Sequence, residues 1–259
     1  MSHFVVMVTR TDEDSVESQL EPFYEQGNEN DSFMEKEYYL KNDEKEIEEW
    51  LDSEIKSFNE HLNNPDVSVD NKRWCQNCLK DLERIKNLKT VRGKLKAIKR
   101  HEGGGLDKDG LYWLNNPNAQ WDWWSIGGRW DGWLVDKNGI HCNICTVKDL
   151  DFDRMREAEK ESRARYYDQE MKKKEEKPEY KPLFWDFDHI PTREEYINKE
   201  LSVAPYAFLH DGEWVERGEM GWWGISNDKF SAEEWDKKFE EFIKSLDPET
   251  EITIVDCHI

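Results

Sequence analysis

Between Trp121 and Leu134 the chain reads Trp-Asp-Trp-Trp-Ser-Ile-Gly-Gly-Arg-Trp-Asp-Gly-Trp-Leu. Five of its thirteen tryptophans fall in this stretch, with two adjacent glycines at the centre. A buried aromatic ring removes on the order of 150–250 Å² from water, so such a stretch must lie at or beside a core. Paired glycines between runs of large residues favour a two-residue hairpin turn, whose central positions need φ > 0. In that hairpin Ile126 faces Arg129, Trp124 faces Asp131 and Trp121 faces Leu134. Trp121, Trp123, Trp130 and Leu134 then share a core face. Asp122, Trp124, Ile126, Arg129, Asp131 and Trp133 share a face that mixes charge with indole and suits binding.

The two chain ends supply the second constraint. Phe4 to Val8 is an unbroken apolar run of strand length, the pattern of a central strand buried on both faces. At the other end, Ser231-Ala232-Glu233-Glu234 is a capping box that opens a helix with Trp235, Phe239, Phe242 and Ile243 inward, and Glu251 to Ile259 reads as a final strand. A strand–helix opening and a helix–strand ending, as in ferredoxin-like folds, pair the terminal strands antiparallel. Asp136-Lys137-Asn138-Gly139 and His210-Asp211-Gly212 mark further turns. The fold class expected is α+β: a mostly antiparallel sheet containing both chain termini, ferredoxin-like in part, with helices on one face.

Two apolar helical stripes, about 42–62 and 71–100, predict a helical hairpin inserted over 42–102 and closed by Gly103-Gly104-Gly105. Residues 152–178 are mostly charged and predict a peripheral helix or arm. The whole, 1–259, is expected as one α+β domain. With 36% hydrophobic residues and a mean hydropathy of −1.01, its core must lean on aromatics.

The net charge of −21 excludes a chain that coats DNA or anionic membrane over its whole surface. Lys72 to Arg100 runs against that balance, with eleven Lys/Arg and two acids, leaving the remainder at −30. That segment contacts nucleic acid, is neutralised by acids such as those from Asp43 to Glu54, or simply stays solvated. No apolar run approaches the ~18 residues of a membrane helix, and the N-terminus lacks a signal-peptide layout, so a cytoplasmic protein away from membranes is expected. Five cysteines in a chain this long do not make a secreted disulfide framework.

Antiparallel terminal strands bring His3 close to Asp256, Cys257 and His258, a set suited to metal binding or nucleophile–base chemistry. Arg129 at the hairpin tip adds an anion-binding group, so His3, Arg129, Asp256, Cys257 and His258 are the catalytic candidates. Trp124, Arg129, Asp131, Trp133 and Trp223 are the binding candidates, because these indoles flank Arg129 or glycine turns. Cys75 and Cys78 together with Cys142 and Cys145 have zinc-ligand spacing, with His141 able to replace one ligand. Yet neither pair is followed by a turn glycine and the first lies on an apolar helical stripe, so no cofactor is predicted.

Met1-Ser2-His3-Phe4, Asn115 to Ala119 leading into Trp121 to Trp133, Asp149 to Asp153, Gly221-Trp222-Trp223-Gly224 and Val255-Asp256-Cys257-His258-Ile259 form five spaced motifs. Together they resemble an uncharacterised family of bacterial and phage proteins. The resemblance spans both ends and the middle of the chain, and it implies no catalytic residues. The basic segment and the Cys-x-x-Cys pairs are not part of it.

The function expected first is that of an acidic interaction protein with a protein partner, in a phage or mobile-element setting an inhibitor of a nucleic-acid-binding or defence protein. The rival is a small-ligand or nucleotide-binding, hydrolase-like protein using the terminal strands and the tryptophan hairpin. A zinc-stabilised nucleic-acid binder acting through Lys72–Arg100 is the third.

Overall fold

The computed structural model describes residues 2–10, 15–182, 191–199, 201–220 and 226–259. In chain order the elements are β1 (His3–Arg10), α1 (Val16–Leu20), β2 (Glu35–Lys41), α2 (Glu44–Asn63), α3 (Val69–Lys86), α4 (Val91–Glu102), β3 (Gly105–Leu106), β4 (Gly110–Asn115) and β5 (Trp123–Ile126). There follow β6 (Leu134–Val135), β7 (His141–Cys142), β8 (Ile144–Thr146), α5 (Phe152–Glu176), α6 (Arg193–Asn198), β9 (Ala207–His210), β10 (Glu213–Glu216), β11 (Gly218–Met220), β12 (Ser226–Asp228), α7 (Ala232–Ser245) and β13 (Glu251–His258). The class is α+β, and no described helix is long and apolar enough to cross a membrane.

The chain divides into two compact units, one of residues 1–24 with 120–259 and one of residues 25–119. The first is built on a sheet of order β10-β9-β1-β13-β5, with β8 also on β13. The terminal strands are adjacent and antiparallel along their whole length, from His3↔His258 to Arg10↔Glu251. β9 lies parallel to β1, and the other pairings are antiparallel. The ferredoxin-like element is the antiparallel pairing of first and last strands, with α7 leading into β13.

The unbroken apolar run of β1 exists because both faces of the strand are covered. Val5 and Met7 pack with Ile252, Ile254 and the α7 residues Trp235, Phe239 and Ile243. Phe4, Val6 and Val8 pack with Val255, Cys257, Phe23, Trp121 and the α1 residues Val16 and Leu20. Helical cover is thus on both faces, not one. The capping box at Ser231 and Glu234 is formed as the sequence predicts. Asp211 and Gly212, both at positive φ, make the expected tight turn between β9 and β10.

The paired glycines act otherwise than expected. β5 ends at Ile126 and pairs with β13, while Gly128–Trp130 is a single 3-10 turn, so no hairpin joins 121–126 to 129–134. The two faces assigned from that hairpin dissolve with it. Trp123 is 51% exposed, whereas Trp124 packs against the core around Trp121.

In the second unit β2 and β3 flank β4, and α2, α3 and α4 pack around Leu40, Leu82, Leu95 and Ile98. The region 42–102 therefore holds three helices. The second predicted helix is broken at Asn87–Thr90, where Asn87 closes α3 and the Thr90 hydroxyl accepts from the Gly93 N–H to open α4. The predicted charged helix is α5, in which Met155 and Glu170 are the buried residues.

Candidate functional site

Strand register decides which candidates meet. Residues paired across an antiparallel ladder share a face. His3, Val5, Asp256 and His258 therefore lie on the α7 side of the sheet, as does Trp123, which pairs with His258. Cys257 and its partner Trp124 point the other way. Two sequence candidates thus leave the site: Cys257 is fully covered among Phe4, Val6 and Val255, and Trp124 stands edge-on to Trp121. Trp123 takes the place Trp124 was expected to fill.

On the shared face the imidazoles of His3 and His258 stand edge to face, with ring centroids 4.9 Å apart. Each is held by its own carboxylate. His3 Nδ1 lies 2.8 Å from Asp256 Oδ1, and His258 Nδ1 lies 2.5 Å from Asp122 Oδ1. An ionised carboxylate only accepts, so each Nδ1 carries the proton and each Nε2 is left to meet a ligand. The rings are 17% and 14% exposed, and Trp123 stands edge-on to His3 with centroids 6.2 Å apart.

Asp256 is the hub. Its side chain is 3% exposed, and its second oxygen accepts the Arg129 backbone N–H at 3.0 Å. That bond requires the backbone of 127–129 to approach closely, which is what the two glycines provide. A Cβ on Gly128 would sit 2.4 Å from the Asp256 side chain, and one on Gly127 would sit 2.5 Å from Asn143 Nδ2. Asn143 in turn accepts from the Gly132 N–H at 2.6 Å and donates to Asp131 at 2.7 Å, fixing the loop that carries Arg129.

Beyond Val5 on the same face opens a cavity of about 590 Å³, a size typical of small-ligand sites. Arg129, Trp130, Asp131, Trp133, His141 and Arg165 are among the residues that line it. The histidine pair lies just outside that lining, two residues along the ladder from Val5 and next to it on the same face. Among the described residues neither Arg129 nor Arg165 has a carboxylate partner, while Glu159 is paired with Arg163 at 2.8 Å. His141 Nδ1 is held by the Gly132 carbonyl at 2.8 Å, which fixes its tautomer in the same way.

Of the binding candidates, Arg129, Asp131 and Trp133 share this cavity, and Trp223 lies outside the described residues. Trp130 and Arg165 were missed as site residues, and Asp122, placed on the binding face of the hairpin, was given no partner. Asp122 sat in the tryptophan motif, but the hairpin register gave no reason to aim it at His258. Arg165 lay in a charged run that reads as solvated face.

Cys75 and Cys78 are buried in the 25–119 unit, and Cys142 and Cys145 belong to the other. Among the described residues no group of three or more His, Cys, Asp or Glu is placed to hold a metal. His3 and His258 offer two nitrogens, one fewer than the three protein ligands of a catalytic zinc.

Burial pushes the Cys145 thiol up to about 12 and the Cys257 thiol well above its ordinary value. At about pH 8 both thiols should resist alkylation in the native protein, whereas all five cysteines should label in denaturant. Mass spectrometry of labelled peptides checks this, and rapid native labelling of Cys257 would contradict its place in the sheet. The sign for stability follows. An unfolded chain loses these protons near 9.0 and the native Cys145 only near 12, so this contribution is full below 9.0 and is lost as pH climbs toward 12.

Comparison with known proteins gives no match: no family model, no curated protein and no solved structure aligns significantly with the chain.

Proposed function

We propose that the unit formed by residues 1–24 and 120–259 binds a phosphate-bearing ligand of nucleotide size and moves protons on it through His3 and His258. The observation that carries this reading is the pair of imidazoles from opposite chain ends, 4.9 Å apart, each oriented by its own aspartate. Two fixed imidazoles of one tautomer suit paired acid–base work. One Nε2 takes the proton of an attacking water or hydroxyl, and the other, protonated, gives its proton to the departing oxygen. A phosphoester fits best because Arg129 and Arg165 offer two unneutralised guanidiniums beside Trp130 and Trp133, which can stack on a base. The acidic-inhibitor reading draws on the net charge of −21 and on the Trp/Arg/Asp-bearing face of a hairpin that does not form.

The test is a panel of nucleoside cyclic phosphates and dinucleotides, followed by chromatography, with AMP binding measured by calorimetry. Turnover by the wild type, lowered roughly 10²–10⁴-fold in both His3→Ala and His258→Ala, is the expected result. AMP binding without turnover would overturn the acid–base role. Neither turnover nor binding would overturn the whole reading.

A further inference from the structure

The basic segment offers a second, separate surface. The sequence allowed that acids from Asp43 to Glu54 neutralise it, and α2, which carries most of those acids, does pack beside α3 in the same unit. Only two of the eleven cations use it: Lys86 pairs with Asp52, and Lys94, buried, pairs with Glu48. Arg84 pairs with Asp81, and Arg92 donates to the Asp107 carbonyl. Lys72, Arg73, Lys80, Lys89, Lys96, Lys99 and Arg100 have no carboxylate partner among the described residues.

Their positions are not scattered. On α3, Arg73 and Lys80 share the outward stripe of Asn77 and Arg84, opposite the buried Cys75, Cys78, Leu82 and Ile85. On α4, Lys96 and Arg100 lie opposite the buried Leu95 and Ile98, and Lys99 is exposed at the edge of that stripe, one turn from Leu95. Arg73 and Lys80 on α3 and Lys96 and Arg100 on α4 are thus turned away from the core the helices share. Beside Arg73 stands Trp74, 60% exposed, with Phe58 edge-on beneath it at 5.5 Å. In a chain of net charge −21, seven unneutralised cations on α3, α4 and the segment between them, with an exposed indole next to Arg73, fit a polyanion with stackable bases.

The geometry points to α3 and α4 as a binding face for single-stranded nucleic acid, with Lys and Arg on the phosphates and Trp74 stacked on a base. This face belongs to the 25–119 unit and does not depend on the histidine pair.

The test uses the full chain and a fluorescently labelled single strand of about 20 nucleotides, RNA or DNA, titrated by anisotropy. If about five cations engage phosphates, log affinity should fall against log salt with a slope of roughly −3 to −4. The charge-reversed variant Arg73→Glu/Lys80→Glu/Lys96→Glu/Lys99→Glu should bind at least ~10-fold more weakly, and Trp74→Ala should weaken binding several-fold. The His3→Ala/His258→Ala protein should bind like the wild type, which separates this face from the proposed acid–base site. No binding at about 50 mM salt, binding unchanged by the four reversals, or loss of binding only in the histidine variant would each overturn the assignment. Equal binding of a duplex with no effect of Trp74→Ala would overturn the single-strand preference.

Discussion

Asp256→Asn is expected to lower phosphoester turnover by roughly 10²–10⁴-fold while leaving the protein folded. The native carboxylate accepts from two donors at once, His3 Nδ1–H and the Arg129 N–H. An asparagine side chain offers one carbonyl oxygen and one amide group, so it can accept from only one of them. If its oxygen keeps the Arg129 N–H, its amide faces His3 and favours the wrong imidazole tautomer. The loss should fall on kcat more than on KM, because the cavity lining is untouched. Asp256→Ala removes both acceptors and should also cost stability, about 1–3 kcal/mol for each buried donor left unpaired. Steady-state kinetics beside urea unfolding separates the two effects. Unaltered turnover in Asp256→Asn would show that the carboxylate does not orient His3 for chemistry.

The largest stability effect is expected at Trp235. Its ring is 1% exposed, stacks on Phe208 with centroids 5.5 Å apart, and donates its indole N–H to the Pro205 carbonyl at 2.7 Å. Trp235→Ala should cost about 3–5 kcal/mol, a large part of the ~5–15 kcal/mol that holds a typical domain together. Trp235→Phe keeps much of the packing and loses the hydrogen bond, so it should cost less. Trp123→Ala, at a ring 51% exposed on the site face, should stay within about 0.5 kcal/mol of wild type. Denaturant unfolding of the three variants checks the ranking, and equal losses at Trp235 and Trp123 would contradict the assignment of core and site faces.

The terminal strands were legible because burial on both faces leaves an unbroken apolar run, and Phe4 to Val8 has no other economical reading. Their pairing places His3 beside Asp256 and His258 from the sequence alone. The glycine pair misled for a physical reason. Gly127 and Gly128 do need positive φ, as a hairpin turn would, but they need it so that the backbone can pass Asn143 and Asp256. A sequence shows the absence of a Cβ and not the neighbour that requires it. With the wrong partner for β5, Trp124 was exchanged for Trp123 and Asp122 lost its link to His258. The break between α3 and α4 was missed because the apolar stripe continues through it, and only Thr90 announced the new helix start.

The most direct measurement is of the imidazole nitrogens themselves. In protein labelled with 15N-histidine, long-range 1H–15N spectra at mildly alkaline pH should show His3 and His258 both protonated at Nδ1 and bare at Nε2. The spectra are assigned from His3→Ala and His258→Ala. Each of Asp256→Asn and Asp122→Asn should disturb the ring it holds. Rings protonated at Nε2, or rings unmoved by those substitutions, would contradict an acid–base pair assembled from the two ends of the chain.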